Sequence, residues 1–206
     1  MPITFYYAPM STASITELVI EELGIPVEKV KLDLRAGDNK KPDYLKIDPN
    51  GRVPCIVHDG TSIWESAAIT IYLGEMFGTA KKLWPEAGPR RGEAMKWVVW
   101  SNATVGEAMF RRGRAGDWLP PEQKNEKAHA EATADVMKLL GILDTALAGK
   151  EFLLGNDFSL ADSHLMSTTH WMRASKIDFG KFANINAWNA RCEARPAVKK
   201  MMAGQK

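Results

Sequence analysis

A change of hydrophobic period near residue 80 constrains this 206-residue chain more than any other feature. Upstream of it, short β-rich runs alternate with helical ones. Ile3 to Tyr7 reads as a strand, Thr12 to Leu23 as a helix, Val27 to Leu34 as a strand and Pro42 to Lys46 as a short helix. Pro54 to His58 and Thr61 to Trp64 follow as a hairpin about Asp59-Gly60, and Ser66 to Phe77 as a helix. Downstream, every apolar repeat is helical. Gly78 to Pro89 carries two glycines and two prolines, which suits a connector. The expected architecture is an α/β domain over residues 1–78 in the order βαβαββα, a linker over 79–88 and an all-α domain over 89–206.

Within the first half, the densest signal is Asn50-Gly51-Arg52-Val53-Pro54-Cys55, with Glu65-Ser66 a short distance beyond. Asn50-Gly51 supplies a tight turn. Pro54 heads a β-rich run, so it belongs at a strand start or an edge, where no ladder N–H is needed. A cis Val53-Pro54 bond is the sharper expectation, and an ordinary strand-initiating proline the plainer one. The hairpin brings Glu65-Ser66 to the point where strand hands over to helix. One short backbone edge and one helix N-terminus therefore converge, an arrangement suited to holding a small peptide.

Composition excludes several classes. Hydrophobic residues make up 45% and charged residues 25%, as in a globular protein. Twenty-seven basic against 25 acidic residues leave a net charge of +2, too small to indicate a nucleic-acid partner. No apolar run approaches the roughly 18 residues of a membrane span, and no cationic and apolar leader opens the chain, so a cytoplasmic address and no membrane partner are expected. Cys55 and Cys192 form no C-x-x-C, and His58, His129, His164 and His170 show no ligand spacing. Neither dithiol redox chemistry nor a metal site is expected. Arg111, Arg112 and Arg114 form the one basic knot, read as a solvated helix end or, alternatively, as an anion or subunit contact.

In the second half, Met95, Val98, Val99, Asn102, Val105 and Met109 recur at helical spacing, with Trp97, Trp100, Ser101 and Thr104 on a neighbouring face. Such a helix is apolar around most of its circumference and should be buried on several sides. Asn102 inside that stripe needs a hydrogen-bond partner, in the core or at a ligand cleft. A second helix is expected from Pro121 to Ala148, ending at Gly149. Ser159 and Asp162 have the spacing of a helix-capping pair, while Ser163 replaces the apolar residue that would clip onto Phe158.

Four segments, in this order, resemble the cytosolic glutathione transferases. Tyr6-Tyr7-Ala8-Pro9-Met10-Ser11-Thr12-Ala13-Ser14 is similar to the strand, loop and helix that carry the family's active hydroxyl. Asn50 to Pro54 resembles the N-x-x-V-P segment, Glu65-Ser66-Ala67-Ala68-Ile69 the E-S-x-A-I helix start, and Phe158 to Asp162 the capping segment of the second domain. Within that family the chain resembles a bacterial, serine-type member. The resemblance implies a thioredoxin-like first domain with a cis proline, glutathione as substrate with no metal, and a homodimer. It further implies that Arg52, Val53, Pro54, Glu65 and Ser66 hold glutathione. Ser11 is the implied thiolate donor, with Thr12, Tyr7 and Ser14 as alternatives; the arginine that often follows the serine is replaced by Ile15-Thr16, and Thr12 stands where cysteine-type relatives carry their thiol. Met10, Asn102 and Met109, with Trp97, Trp100 and Phe110, are the candidates for an electrophile pocket. Conjugation to small hydrophobic electrophiles is the implied activity. A glutathione-dependent isomerase, dehalogenase or peroxidase, or a non-catalytic interaction module on the same fold, is the alternative.

Overall fold

The computed structural model describes residues 2–203. A four-stranded sheet opens the chain, in the order β2-β1-β3-β4, built from β1 (Ile3–Tyr7), β2 (Val27–Lys31), β3 (Cys55–His58) and β4 (Thr61–Trp64). β1 and β2 pair in parallel, as the crossover through α1 (Ala13–Leu23) requires, and the other two pairs are antiparallel. The hairpin turn has Asp59 at φ 47° and Gly60 at φ 77°, the left-handed pair that Asp-Gly favours. α2 (Pro42–Leu45) precedes β3, and α3 (Ser66–Leu73) completes the βαβαββα order. β2 is shorter than its apolar pattern suggests. The Asp33 carboxylate accepts the Arg35 and Ala36 N–H groups at 2.9 and 3.1 Å, and turns the chain away from the sheet.

The second half is helical throughout. α4 (Pro89–Trp100) and α5 (Glu107–Arg112) run into one another through a wide π turn, Ser101–Gly106, and a second wide turn, Gly113–Asp117, closes the run. Wide turns insert an extra residue and so rotate the faces that follow. Val98, Val105 and Met109 are buried, whereas Val99, on α4 ahead of both wide turns, is 48% exposed, so the buried stripe is narrower than the spacing implies. Pro121–Gln123 is a separate 3-10 turn, and α6 (Glu126–Leu147) begins after Asn125, whose side chain accepts the Ala128 N–H at 3.0 Å. α7 (Leu160–Ala174), α8 (Ala183–Glu193) and α9 (Pro196–Ala203) follow.

One apolar core runs through both halves, and α1 packs against β1, α3, α7 and α9. Charge fastens the same seam. Arg195 grips the Glu22 carboxylate of α1 with two bonds at 2.8 and 2.7 Å, and Lys200 reaches Glu21 at 2.6 Å. The expected capping box of Ser159 and Asp162 is present, and Asp162 does more than complete it. Asp162 accepts both the N–H and the hydroxyl of Ser159, and its other oxygen takes the Leu153 N–H and the Trp188 indole N–H, all at 2.8–2.9 Å. Burial pushes this carboxyl pKa up, while the four donors oppose the shift. Phe158 clips onto the Phe152 ring and lies under Arg195, not against Ser163.

Arg112 corrects the reading of the basic knot as a solvated helix end. It is buried, pairs with Asp117, and donates to Thr133 Oγ1 and the Ser175 carbonyl at 3.0 and 3.1 Å. Arg111 alone of the three behaves as an exposed ion pair, with Glu107 and Asp135.

Because Asp162 satisfies four buried or half-buried donors, Asp162→Ala is expected to destabilise the fold by about 3 kcal/mol or more. That corresponds to a melting point lower by roughly 6–12 °C, readable by circular dichroism.

Candidate active site

A cleft of about 690 Å³ lies where the sheet domain meets α5 and α7. Its first wall is the loop from Asp48 to Pro54. The buried Asp48 carboxylate accepts the N–H groups of Asn50 and Arg52 at 2.9 and 3.0 Å and the Asn50 amide at 3.1 Å. The side-chain amide of Asn39 holds the Gly51 carbonyl at 2.6 Å, and Tyr44 donates to the Arg52 carbonyl. Gly51 has φ 59°, and a β-carbon there would come within 2.6 Å of the Asn39 carbonyl. Only glycine satisfies both demands. The Val53-Pro54 peptide bond is cis.

Opposite this loop stands the start of α1. Ser11 Oγ donates to the Ala8 carbonyl at 2.7 Å and accepts the Ala13 N–H at 3.2 Å, so this hydroxyl caps the helix. Thr12 Oγ1 donates to the Val53 carbonyl at 3.1 Å. That contact occupies the Val53 carbonyl, and the Val53 N–H has no protein partner among the described residues. Both hydroxyls line the cleft. Tyr7 and Ser14 do not: Tyr7 stacks on Phe5 with ring centroids 5.6 Å apart, and Ser14 Oγ bonds back to the Ser11 carbonyl.

Glu65 and Ser66 form the third side. Glu65 has φ 70°, a left-handed conformation costly for a residue with a β-carbon, and its side chain is exposed on the cleft wall. Ser66 opens α3 and accepts a 2.8 Å hydrogen bond from the Asn102 amide. Behind Asn102, His164 Nε2 lies 2.7 Å from Asn102 Oδ1, and His164 Nδ1 lies 2.8 Å from Thr70 Oγ1. His164 is fully buried, which lowers its pKa from the ordinary 6.5 to about 3. It is therefore a neutral imidazole at physiological pH.

The helical wall carries Phe110, Trp171 and Arg114. The two rings meet at 5.5 Å, and the Arg114 guanidinium lies 5.9 Å from the Phe110 ring with no carboxylate partner among the described residues. The structure thus brings together Ser11, Thr12, Arg52, Val53, Pro54, Glu65, Ser66, Asn102 and Phe110. The remaining pocket candidates lie elsewhere. Met10 is fully exposed at φ 53°, Met109 is in the core, and Trp97 and Trp100 pack edge to face at 5.3 Å away from the cleft lining. Sequence reasoning passed over Asp48, Asn39, Trp171 and Thr70, and named Arg114 only within the basic knot and His164 only as a histidine without ligand spacing. Of these, only Asp48 carried a local signal, an aspartate two residues before Asn-Gly that can fold back on its own backbone. Among the described residues, no group of three or more His, Cys, Asp or Glu is placed to hold a metal ion, and no helix is long and apolar enough to cross a membrane.

Comparison with known proteins places this geometry. Residues 1–75 match the family model "Glutathione S-transferase, N-terminal domain", and residues 116–196 match "Glutathione S-transferase, C-terminal domain". The chain is 31% identical over 189 residues to glutathione S-transferase GstB of Escherichia coli K12, covering 90% of this chain and 89% of that protein. It belongs to the glutathione S-transferase family. Among solved structures, the theta class glutathione S-transferase of Xanthomonas axonopodis pv. citri, with glutathione bound, is 27% identical with a TM-score of 0.85, and 97% of each chain is covered. A glutathione transferase from Burkholderia graminis, with two glutathione molecules per subunit, is 26% identical with a TM-score of 0.86, covering 97% of this chain and 86% of that one. URE2P6 of Phanerochaete chrysosporium, at 23% identity and a TM-score of 0.90, has the same fold over 98% and 95% of the two chains. The family's thioredoxin-like half and helical half are both present.

Two outcomes test the site's local physics. Glu65→Gly is expected to be more stable than Glu65→Ala by about 1 kcal/mol in urea denaturation, because glycine alone relieves the left-handed φ. His164, with its pKa depressed in the folded state, contributes stability that is fully present above about pH 6.5. That stability falls by about 1.4 kcal/mol per pH unit as pH drops toward 3, since the unfolded chain then binds the extra proton. By pH 5 the loss amounts to about 2 kcal/mol. It should be missing from His164→Gln when unfolding free energies are compared between pH 7 and 5.

Proposed function

We propose that the protein is a glutathione transferase that joins reduced glutathione to small electrophiles carrying apolar surface. The observation that carries this reading is the convergence, on one cleft, of a bare Val53 N–H, the Glu65-Ser66 helix start and two hydroxyls at the head of α1. Each matches one part of a tripeptide. The cysteinyl unit pairs with the Val53 backbone as a miniature added strand, displacing Thr12 from the carbonyl. The Ser66 hydroxyl and the free N–H groups of α3 take the γ-glutamyl carboxylate, and Glu65 takes the ammonium. Arg52, exposed on the same wall and with no carboxylate partner among the described residues, faces the acidic tripeptide.

The sulfur then lies by Ser11 and Thr12. Ser11 is the donor in this reading: rotation of its hydroxyl from the Ala8 carbonyl turns the proton toward the cleft, while its oxygen continues to cap Ala13. The gain from that donor is small. A thiol of pKa ~8.5 is roughly 3% ionised at pH 7, and a pKa of ~7 makes about half of it thiolate, a ~15-fold rise. Lower basicity costs roughly four- to sixfold in nucleophilicity, leaving a net gain of about threefold. Holding the electrophile beside the sulfur must supply the rest. Phe110 and Trp171 offer the flat apolar wall for it, with Asn102 at its edge; Met10 and Met109 are too far out and too deep, respectively.

A homodimer is the assembly proposed, using the exposed Met76 and Val99 near the α3 and α4 surface, and a sedimentation measurement checks it. Two free, buried thiols suit a reducing cytoplasm, the location proposed.

The test is retention on immobilised glutathione followed by an assay with chlorodinitrobenzene. Ser11→Ala is expected to lower turnover about threefold, the net gain assigned to that donor, while glutathione affinity stays within about twofold. Undiminished turnover in Ser11→Ala, with loss in Thr12→Val, would move the donor role to Thr12. Absence of both retention and turnover would remove the reading altogether.

A further inference from the structure

We infer that His164, which lies outside the cleft, is a positioning residue for carboxylate recognition: through Asn102 it turns the Ser66 hydroxyl proton toward the ligand. This rests on the proposed glutathione reading of the cleft. The inference follows from counting protons along one hydrogen-bonded chain, Thr70 to His164 to Asn102 to Ser66, whose links are 2.8, 2.7 and 2.8 Å.

Each link has a direction. Asn102 Oδ1 can only accept, so the proton of the neutral imidazole sits on Nε2. Nδ1 is then bare, and it accepts from the Thr70 hydroxyl, a buried group with no other partner among the described residues. The Asn102 amide nitrogen donates to Ser66 Oγ. Ser66 therefore accepts from the protein and keeps its own proton for the cleft it lines. Run the other way, the same chain would bind the Ser66 proton to Asn102 and leave only a lone pair facing the ligand. A lone pair suits an ammonium, whereas an O–H beside the free N–H groups of α3 suits a carboxylate.

The chain also begins and ends on one helix. Ser66 and Thr70 are one turn apart on the same face of α3, while His164 comes from α7 and Asn102 from the wide turn between α4 and α5. The helical half thus sets the polarity of a hydroxyl in the sheet half.

The experiment measures dissociation constants at pH 7 for two ligands, reduced glutathione and γ-aminobutyryl-cysteinylglycine, which lacks the γ-glutamyl α-carboxylate. The proteins are the wild type, Ser66→Ala, His164→Leu, the double variant, and His164→Gln, whose amide can still donate to Asn102. Expected are losses of about tenfold in glutathione affinity for each single variant, a double variant within threefold of either, and recovery to within threefold in His164→Gln. The decarboxylated analogue should bind the wild type and His164→Leu alike. Additive losses, or an equal loss for the analogue, would overturn the inference while leaving the glutathione reading intact; a wild type that binds no glutathione overturns both. Should His164→Leu fail to fold, Thr70→Val serves in its place, with a loss of threefold or more expected for glutathione alone. Nitrogen-15 NMR of the wild-type imidazole gives an independent arm. A protonated Nε2 and a bare Nδ1 are expected, and the opposite tautomer overturns the polarity.

Discussion

The site depends first on one buried carboxylate. Asp48 accepts two backbone N–H groups and a side-chain amide from the residues that follow it, so the loop to Pro54 is bound from within before any ligand arrives. Three consequences follow from that anchorage. Gly51 is forced into a left-handed conformation under the Asn39 carbonyl, Val53 keeps its N–H without a protein partner among the described residues, and the head of α1 finds a carbonyl for Thr12. A loop of this kind could be mobile. Here the binding edge is pre-set, which lowers the entropy that docking a short peptide would otherwise cost.

The second constraint is the seam between the two halves. The Arg195 and Glu22 pair, the Lys200 and Glu21 pair and the shared apolar core hold α1 against the helical layer. The cleft draws the Asp48 to Pro54 loop, Glu65 and Ser66 from one half, and Asn102, Arg114 and the Phe110 and Trp171 wall from the other. A wide turn at Ser101–Gly106 makes the combination possible. Its extra residue lets Ser101 face Thr168 in the core at 2.8 Å while its neighbour Asn102 reaches Ser66.

Much of this was legible in the residues. The strand and helix order, the Asp-Gly turn and the Asn50 to Pro54 edge are local signals, each set by side-chain or backbone preferences within a few residues. What was not legible depended on distance or on helix register. The stripe from Met95 to Met109 implies one buried face, yet Val99 on α4 is exposed, and the wide turn that follows changes the register by which Met109 reaches the core. Arg112 reads as one cation among three until Asp117, Thr133 and the Ser175 carbonyl close round it. His164 is one of two histidines in α7, and nothing near it in the chain announces partners 62 and 94 residues away.

The thiols carry one more consequence. Cys55 is fully buried and its pKa is pushed up to about 12 by that burial, and Cys192, equally enclosed, is shifted in the same direction. Threonine occupies position 12 at the mouth of the cleft. A catalyst that gathers alkylating compounds beside a sulfur nucleophile runs the hazard of being alkylated itself. Under the proposed function, and among the described residues, both protein thiols are buried, so the thiol within reach of such a compound is the one brought in by the tripeptide.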